Sequence, residues 1–293
     1  MNTTNIGAAL MSARHAAPNF IHTNDGTMLF YRDWGQGAPV VFVGSWSLPS
    51  DMWNYQTLAL SEQGLRCISY DRRGHGRSSD PGRGYDFDTL ADDLAALLEV
   101  LDLRGVTLVG HSMGCGEIVR YLTRFGSDRV ARIALLGTTT PMLALAPDNP
   151  DGIDVALFEF FQTQQLMRDY PEWIEENLPP FVVPQTTPAM VNWVRQMALN
   201  TSAKALKDCN TAVVRADFRQ EMKRINVPTL ILHGDLDASA PLALTAEASA
   251  ALVPGAVLKI YQGAPHGFFI THMDGINADL LAFAGADQRV AVE

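Results

Sequence analysis

The run "LVGHSMGCGEIVRY" sets Ser112 between Gly110 and Gly114, after one apolar stretch and ahead of another. A serine hydroxyl becomes a nucleophile only when a base takes its proton and an acid orients that base. A sharp strand-to-helix turn would supply the remainder. Flanking glycines let the backbones approach, Ser112 sits strained at the tip, and the N–H of Met113 opens a helix where developing negative charge is favoured. The bare pattern is weak: at roughly 7% usage each of Gly and Ser it arises by chance in about one chain in ten of this length. Its setting between strand and helix makes it specific.

The partners should follow in the order acid then histidine, each on a loop after a later strand. Three histidines lie downstream: His233, His266 and His272. His266, in the Gly- and Pro-flanked "GAPHGFF", is assigned as the base. His233 ends a strand and reads as an anchor for the turn that follows, and His272 as helical surface or a support behind the base. In "LILHGDLDASAP", Asp237 is assigned as the acid and Asp235 as a brace of the turn through side-chain-to-backbone bonds. Cys115 reads as helix packing, and "DRRGHGRSS", with His75 and three arginines, as a tight structural turn.

The elements that must hold these residues are legible as short apolar runs alternating with helix-period segments. Strands are expected at 28–33, 40–43, 66–70, 106–109, 130–136, 229–232 and 257–261, several of them continuous in Val, Ile and Leu as in strands covered on both faces. Asp88 is expected to cap "TLADDLAALLEVL", whose Leu90, Leu94, Leu97, Leu98 and Leu101 fall on one side, with Asp92 and Asp93 near its positive end. The helix after Ser112 is expected to bury Cys115, Ile118, Val119, Leu122 and Phe125 and to stop at Gly126. Such alternation implies a mostly parallel, twisted α/β sheet with helices on both faces. Residues 142–222 break the rhythm: helical stretches, proline-rich joints and the aromatics Phe158, Phe160, Phe161, Tyr170, Trp173, Phe181 and Trp193, but no good strand. The segment reads as a helical cap over one end of the sheet, inserted into a core formed by 18–141 and 223–288.

Composition excludes several functions. The 293 residues are 47% hydrophobic and 18% charged, enough for a large core. A net charge of −10 argues against nucleic acid, whose phosphates call for a surplus of Lys and Arg. No long apolar span suggests a membrane element. Three scattered cysteines and residues 1–17, read as a loosely held tail without a basic and apolar leader, point to the cytoplasm. No pattern for a metal, nucleotide or other cofactor is present. Self-association is left open.

The serine, acid and histidine motifs, together with "YDRRGHGRSS" (70–79), "GYDFDTLADDL" (84–94), "DNPDG" (148–152), "DFRQEMKRINVPTLILHGDLD" (217–237) and "GAPHGFFITH" (263–272), resemble the α/β-hydrolase fold family. Within it the chain is similar to the cofactor-free haloperoxidase and perhydrolase-like esterase branch. The resemblance spans roughly residues 20–285 and implies the same nucleophile Ser112, base His266 and acid Asp237. It also implies that a second oxyanion donor comes from the loop after strand 40–43. Related enzymes usually read His-Gly-aromatic-Pro there; this chain reads Gly44-Ser45-Trp46-Ser47. The backbone N–H of Trp46 is the implied donor beside that of Met113, with the alternative that Trp46 is a core residue. The Trp46 ring and His111 are expected at the substrate pocket. The implied activity is hydrolysis of a small-molecule ester or lactone through an acyl-enzyme, the alternatives being perhydrolysis and halogenation at the same triad or ligand binding without catalysis.

Overall fold

The computed structural model describes residues 19–285, so the expected tail at 1–17 lies outside them. Eight strands form one sheet in the order β1-β2-β4-β3-β5-β6-β7-β8. They are β1 (Phe20–His22), β2 (Met28–Trp34), β3 (Ala38–Val43), β4 (Leu65–Tyr70), β5 (Val106–His111), β6 (Val130–Leu136), β7 (Thr229–Gly234) and β8 (Val257–Tyr261). β1 and β2 pair antiparallel at one edge, and every pair from β4 to β8 is parallel. All seven expected strands are present; the three-residue β1 was too short to carry a pattern.

The period of two in the strands divides the core. Val41, Val43, Leu108, Ile133 and Ile231 face one layer, while Val40, Phe42, Val109, Ala134 and Leu232 face the other. The first layer meets α2 (Phe87–Val100) and α3 (Met113–Phe125), through Leu90, Leu94, Leu97, Ile118 and Val119. The second meets α1 (Asn54–Ser61), and α10 (Phe268–Thr271) with α11 (Met273–Ala284). Each fully buried Leu, Ile or Phe contributes about 1.5–3 kcal/mol. β8 departs from the doubly covered pattern because it is the edge strand, with Val257 exposed.

From Leu136 to Thr229 the chain adds helices and no strand to the sheet: α4 (Val155–Phe161), α5 (Tyr170–Phe181), α6 (Pro188–Leu199), α7 (Ala203–Arg215) and α8 (Arg219–Met222), with α9 (Ala248–Leu252) following β7. Among the described residues no helix is long and apolar enough to cross a membrane.

Three helix details correct the sequence reading. The cap of α2 is Asp86, in extended backbone, whose side chain accepts from the Thr89 N–H, whereas Asp88 is already helical. Asp93, expected as a charge favoured by the helix dipole, is buried in a two-pronged ion pair with Arg73. Phe125 is 44% exposed and stacks on Tyr121 instead of entering the core. In urea denaturation, Asp86→Ala should cost about 1 kcal/mol, as for a lost N-cap. Asp88→Ala, which loses exposed pairs with Arg120 and Arg124, should stay within about 0.5 kcal/mol. Equal losses would refute the assignment of the cap.

Candidate active site

β5 ends at His111 and α3 begins at Met113, which leaves Ser112 in the turn at φ 55°, ψ −117°. Holding a non-glycine residue there costs on the order of 1–3 kcal/mol and requires surroundings that fix it. The Ser112 N–H donates to the Leu136 carbonyl at 2.9 Å, tying the turn to the end of β6. The flanking glycines are steric requirements. A Cβ on Gly110 would stand 2.9 Å from the Cys115 nitrogen, and one on Gly114 would stand 2.5 Å from the Val43 carbonyl oxygen. The Cys115 thiol beside them is fully buried, and burial pushes it up to about 12, so it stays protonated packing material.

Asp237 and His266, the residues expected as acid and base, follow the C-terminal ends of β7 and β8. His266 Nδ1 donates to Asp237 Oδ2 at 2.6 Å. The other oxygen, Asp237 Oδ1, accepts from the Ser239 and Ala240 N–H groups at 2.9 and 2.8 Å, so the carboxylate cannot rotate away. Burial raises this carboxyl, but the attraction and hydrogen bond of His266, the nearby His233 and the Ala240 N–H outweigh it and hold the group below the usual range. Asp235 braces the turn by accepting from the Gly263 N–H at 2.7 Å, which fastens the acid loop to the base loop. His233 donates to the Ala240 carbonyl at 2.8 Å and anchors the same turn. His272 pairs with Thr271, outside this group.

Ser112 and His266 meet through His111. The His111 ring lies 4.7 Å from the His266 ring, and its Nε2–H donates to the His266 carbonyl at 2.9 Å. Ser112, Asp237 and His266 are 5, 6 and 5% exposed, so their electrostatics act with little water between them. His111 was expected at the substrate pocket. It is instead solvent-inaccessible, packed against Trp53, Phe268 and Phe269, and connects the serine turn to the histidine loop. Burial first, then the neighbouring His266, depress it to about 3, so it is neutral. The turn residue before Ser112 carried no sequence signal for that role.

On the opposite wall, the loop after β3 packs against the start of α3: the Cβ position of Gly114 also lies 2.8 Å from the Gly44 carbonyl. Neither the Trp46 N–H nor the Met113 N–H has a backbone or side-chain acceptor among the described residues. For Met113 this follows from its place in the first turn, which no intrahelical carbonyl can serve. The Trp46 ring is half-buried, donates from Nε1 to the Leu206 carbonyl at 2.9 Å, and meets Trp173 edge-on at 5.3 Å. Tyr170 stacks on Trp173, and Phe181 lies 5.9 Å from the His266 ring. Aromatics of the helical segment therefore flank the loop that carries Trp46 and the loop that carries His266, whereas Phe160 and Phe161 face solvent.

A family model for the alpha/beta hydrolase fold matches residues 38–273. The chain is 40% identical over 270 residues to a non-heme haloperoxidase of Rhodococcus erythropolis, covering 90% of this chain and 98% of the relative. It is 39% identical over 274 residues to a bifunctional esterase/perhydrolase of Acinetobacter calcoaceticus, with coverage of 90% and 98%. The crystal structure of a bromoperoxidase from Bacillus anthracis superposes with a TM-score of 0.85 at 37% identity, over 88% of this chain and 95% of that one.

The neutral His111 sets a sign for stability against pH. An unfolded histidine titrates near 6.5, while His111 in the fold titrates near 3, so unfolding takes up a proton between these values and stability is lost as pH falls. His75, also buried and depressed to about 3, acts in the same direction. In urea melts at pH 6, 5 and 4, His111→Gln should lose stability less steeply than wild type, by about 1.4 kcal/mol per pH unit for the one proton. Parallel slopes would show that His111 is already protonated in the fold.

Proposed function

The chain belongs to the α/β-hydrolase fold family, and on that premise we propose that it hydrolyses small to medium carboxylic esters or lactones through an acyl-enzyme on Ser112. The observation that carries this reading is the convergence of three strand ends. A serine strained into a positive-φ turn at a helix N-terminus follows β5, and a hydrogen-bonded Asp237–His266 pair follows β7 and β8.

The substrate carbonyl oxygen lies against the N–H groups of Trp46 and Met113. Ser112 Oγ attacks the carbonyl carbon while His266 Nε2 takes the hydroxyl proton, and the carbonyl electron pair moves to oxygen. Asp237 holds the imidazole by its Nδ1–H and stabilises the imidazolium. The tetrahedral oxygen is bound more tightly than the planar carbonyl, which is where such donors act. Collapse expels the alcohol, which takes the proton from His266. Water, deprotonated by the same imidazole, then releases the acid and restores Ser112. Hydride transfer and metal activation have no place in these steps, so no cofactor is required. The segment 142–222, through Tyr170, Trp173 and Phe181, serves as the apolar lid over the acyl group. Three buried free cysteines support a reducing compartment, the cytoplasm.

A second reading is perhydrolysis, in which hydrogen peroxide replaces water as the nucleophile on the acyl-enzyme and leaves a peracid. The perhydrolase and haloperoxidase names of the relatives favour testing it. Both readings share the acyl-enzyme.

Hydrolysis of p-nitrophenyl acetate and labelling by a fluorophosphonate provide the test. Ser112→Ala should abolish labelling and lower kcat by at least about a thousandfold, and Asp237→Asn should lower kcat by a comparable factor. Turnover that survives Ser112→Ala would refute the acyl-enzyme. A wild type that neither labels nor turns over would leave a binding protein as the better reading.

A further inference from the structure

The stretch "DRRGHGRSS" reads from sequence as a structural turn, and most of it is one: Asp71 is buried and accepts from the Ser50 N–H and from Arg77. Arg72 does something different. It leaves the end of β4 almost fully buried and points across to the loop after β3. Its Nη1 donates to the Ser45 carbonyl at 2.8 Å and its Nη2 to the Gly44 carbonyl at 2.6 Å. Its Nε donates to Glu117 Oε1 at 2.7 Å, and Nη2 also reaches that oxygen. Glu117 is fully buried on α3, and its second oxygen accepts from the Tyr70 hydroxyl at 3.2 Å.

Peptide planarity turns these contacts into a direction. The Ser45 carbonyl and the Trp46 N–H belong to one trans unit and point opposite ways. A carbonyl held on the guanidinium therefore turns the Trp46 N–H away from it. The preceding unit behaves alike: with the Gly44 carbonyl on Arg72, the Ser45 N–H points away and donates to Met52 Sδ at 3.2 Å. That leaves the Trp46 N–H without an acceptor among the described residues, two residues after Gly44, whose carbonyl packs against the start of α3. Glu117 lies one helical turn beyond Met113, so one ion pair references both unpaired N–H groups to each other. The loop itself, Gly44-Ser45-Trp46-Ser47, holds no proline to fix its own backbone.

We propose that Arg72, charge-balanced by Glu117, is a positioning residue that grips the Gly44 and Ser45 carbonyls and thereby aims the Trp46 N–H as an oxyanion donor. The inference rests on the serine-hydrolase reading. Only a planar fork can serve two consecutive carbonyls and a carboxylate at once; an ammonium is a compact charge without that geometry. Arg72→Lys therefore keeps the counter-ion for Glu117 and loses the grip.

The expected result for Arg72→Lys is a kcat on p-nitrophenyl acetate lower by about 10- to 100-fold, part of the roughly 100- to 1,000-fold that outright loss of one oxyanion donor costs, with KM moving less than about threefold. The inhibition constant of a trifluoromethyl ketone, whose hemiketal oxygen needs the same donors, should rise in proportion to the loss in kcat/KM. A merely structural role would lower the melting temperature and leave both ratios at the wild-type value. Arg72→Met/Glu117→Met, which removes both buried charges together, should show the same split and serves if the lysine variant does not fold. A crystal structure of the wild-type phosphonate adduct gives an answer independent of folding: the Ser45 carbonyl on Arg72 and the phosphonyl oxygen on the Trp46 N–H. Wild-type kcat in either folded variant, or an adduct oxygen bonded elsewhere, would overturn the proposal. Failure of the underlying reading looks different, because then Ser112→Ala retains turnover or the wild type does not label at all.

Discussion

The site depends on one close approach, that of the start of α3 to the end of β3. The Cβ position of Gly114 lies 2.5 Å from the Val43 carbonyl and 2.8 Å from that of Gly44, closer than any side chain tolerates. Because the two backbones touch, a residue at the helix start and a residue in the loop can present N–H groups to one small volume. The same approach forces the chain through Ser112 at a positive φ. Strain of that kind persists only where surrounding bonds over-determine it. Here they come from β6 through the Leu136 carbonyl and from the doubly packed sheet beneath.

Burial then sorts the charges. Three histidines cluster at this end of the sheet, and their partners differ in kind. His111 and His233 donate to backbone carbonyls, and burial holds both below their usual range and keeps them neutral. His266 alone donates to a carboxylate at hydrogen-bonding distance. His233 stands farther from the same carboxylate, at 3.5 Å, so the ring with the direct carboxylate hydrogen bond is the one suited to hold a proton taken from the proposed nucleophile. Asp237 is fixed by two backbone N–H groups and kept ionised by the groups around it. The division of labour follows from which acceptor each ring meets.

How much of this the sequence carried depends on the range of the interaction. Strand 130–136 and the turn at Ser112 were legible because their signals are local: an apolar run interrupted only by Arg132, and glycines at fixed offsets from the serine. The anchoring role of His233 was legible for the same reason, since its Ala240 partner lies in the turn it braces, whereas Asp235 was expected to brace its own turn and instead bonds Gly263, 28 residues away in the next loop. Asp88 was mistaken for the α2 cap because both Asp86 and Asp88 suit that position by type, and only the extended backbone at Asp86 separates them. The ion pair of Asp93, read only as a charge near the positive end of α2, was not legible because its partner, Arg73, is twenty residues away. His111 was expected at the substrate pocket and Arg72 read as part of a structural turn, and their long-range contacts were illegible for a stronger version of that reason. Their partners lie 155 and 27 residues distant, and no periodicity encodes a contact between loops that the sheet brings together.

The helical segment 142–222 is bonded to the loops that carry the proposed machinery, and this constrains how acyl specificity could change. The Thr201 hydroxyl donates to the Ser47 carbonyl at 2.8 Å, and the Trp46 indole N–H to the Leu206 carbonyl. The Ser202 N–H donates to the Gly74 carbonyl beside Arg72 and Arg73, and the Gly267 N–H, next to His266, to the Phe181 carbonyl. A segment that rested on the core through apolar contacts alone could slide or be replaced with little effect on reaction geometry. This one shares hydrogen bonds with both loops, from side chains to carbonyls at the Trp46 loop and from backbone to backbone at the His266 loop. A substitution that reshapes the aromatic wall by moving α5 or α7 would displace the Trp46 loop and the His266 loop, and with them the proposed donor and base, together. Side-chain exchanges at Tyr170 or Trp173 that leave those helices in place are therefore the route by which the pocket can vary while the reacting groups stay where the sheet holds them.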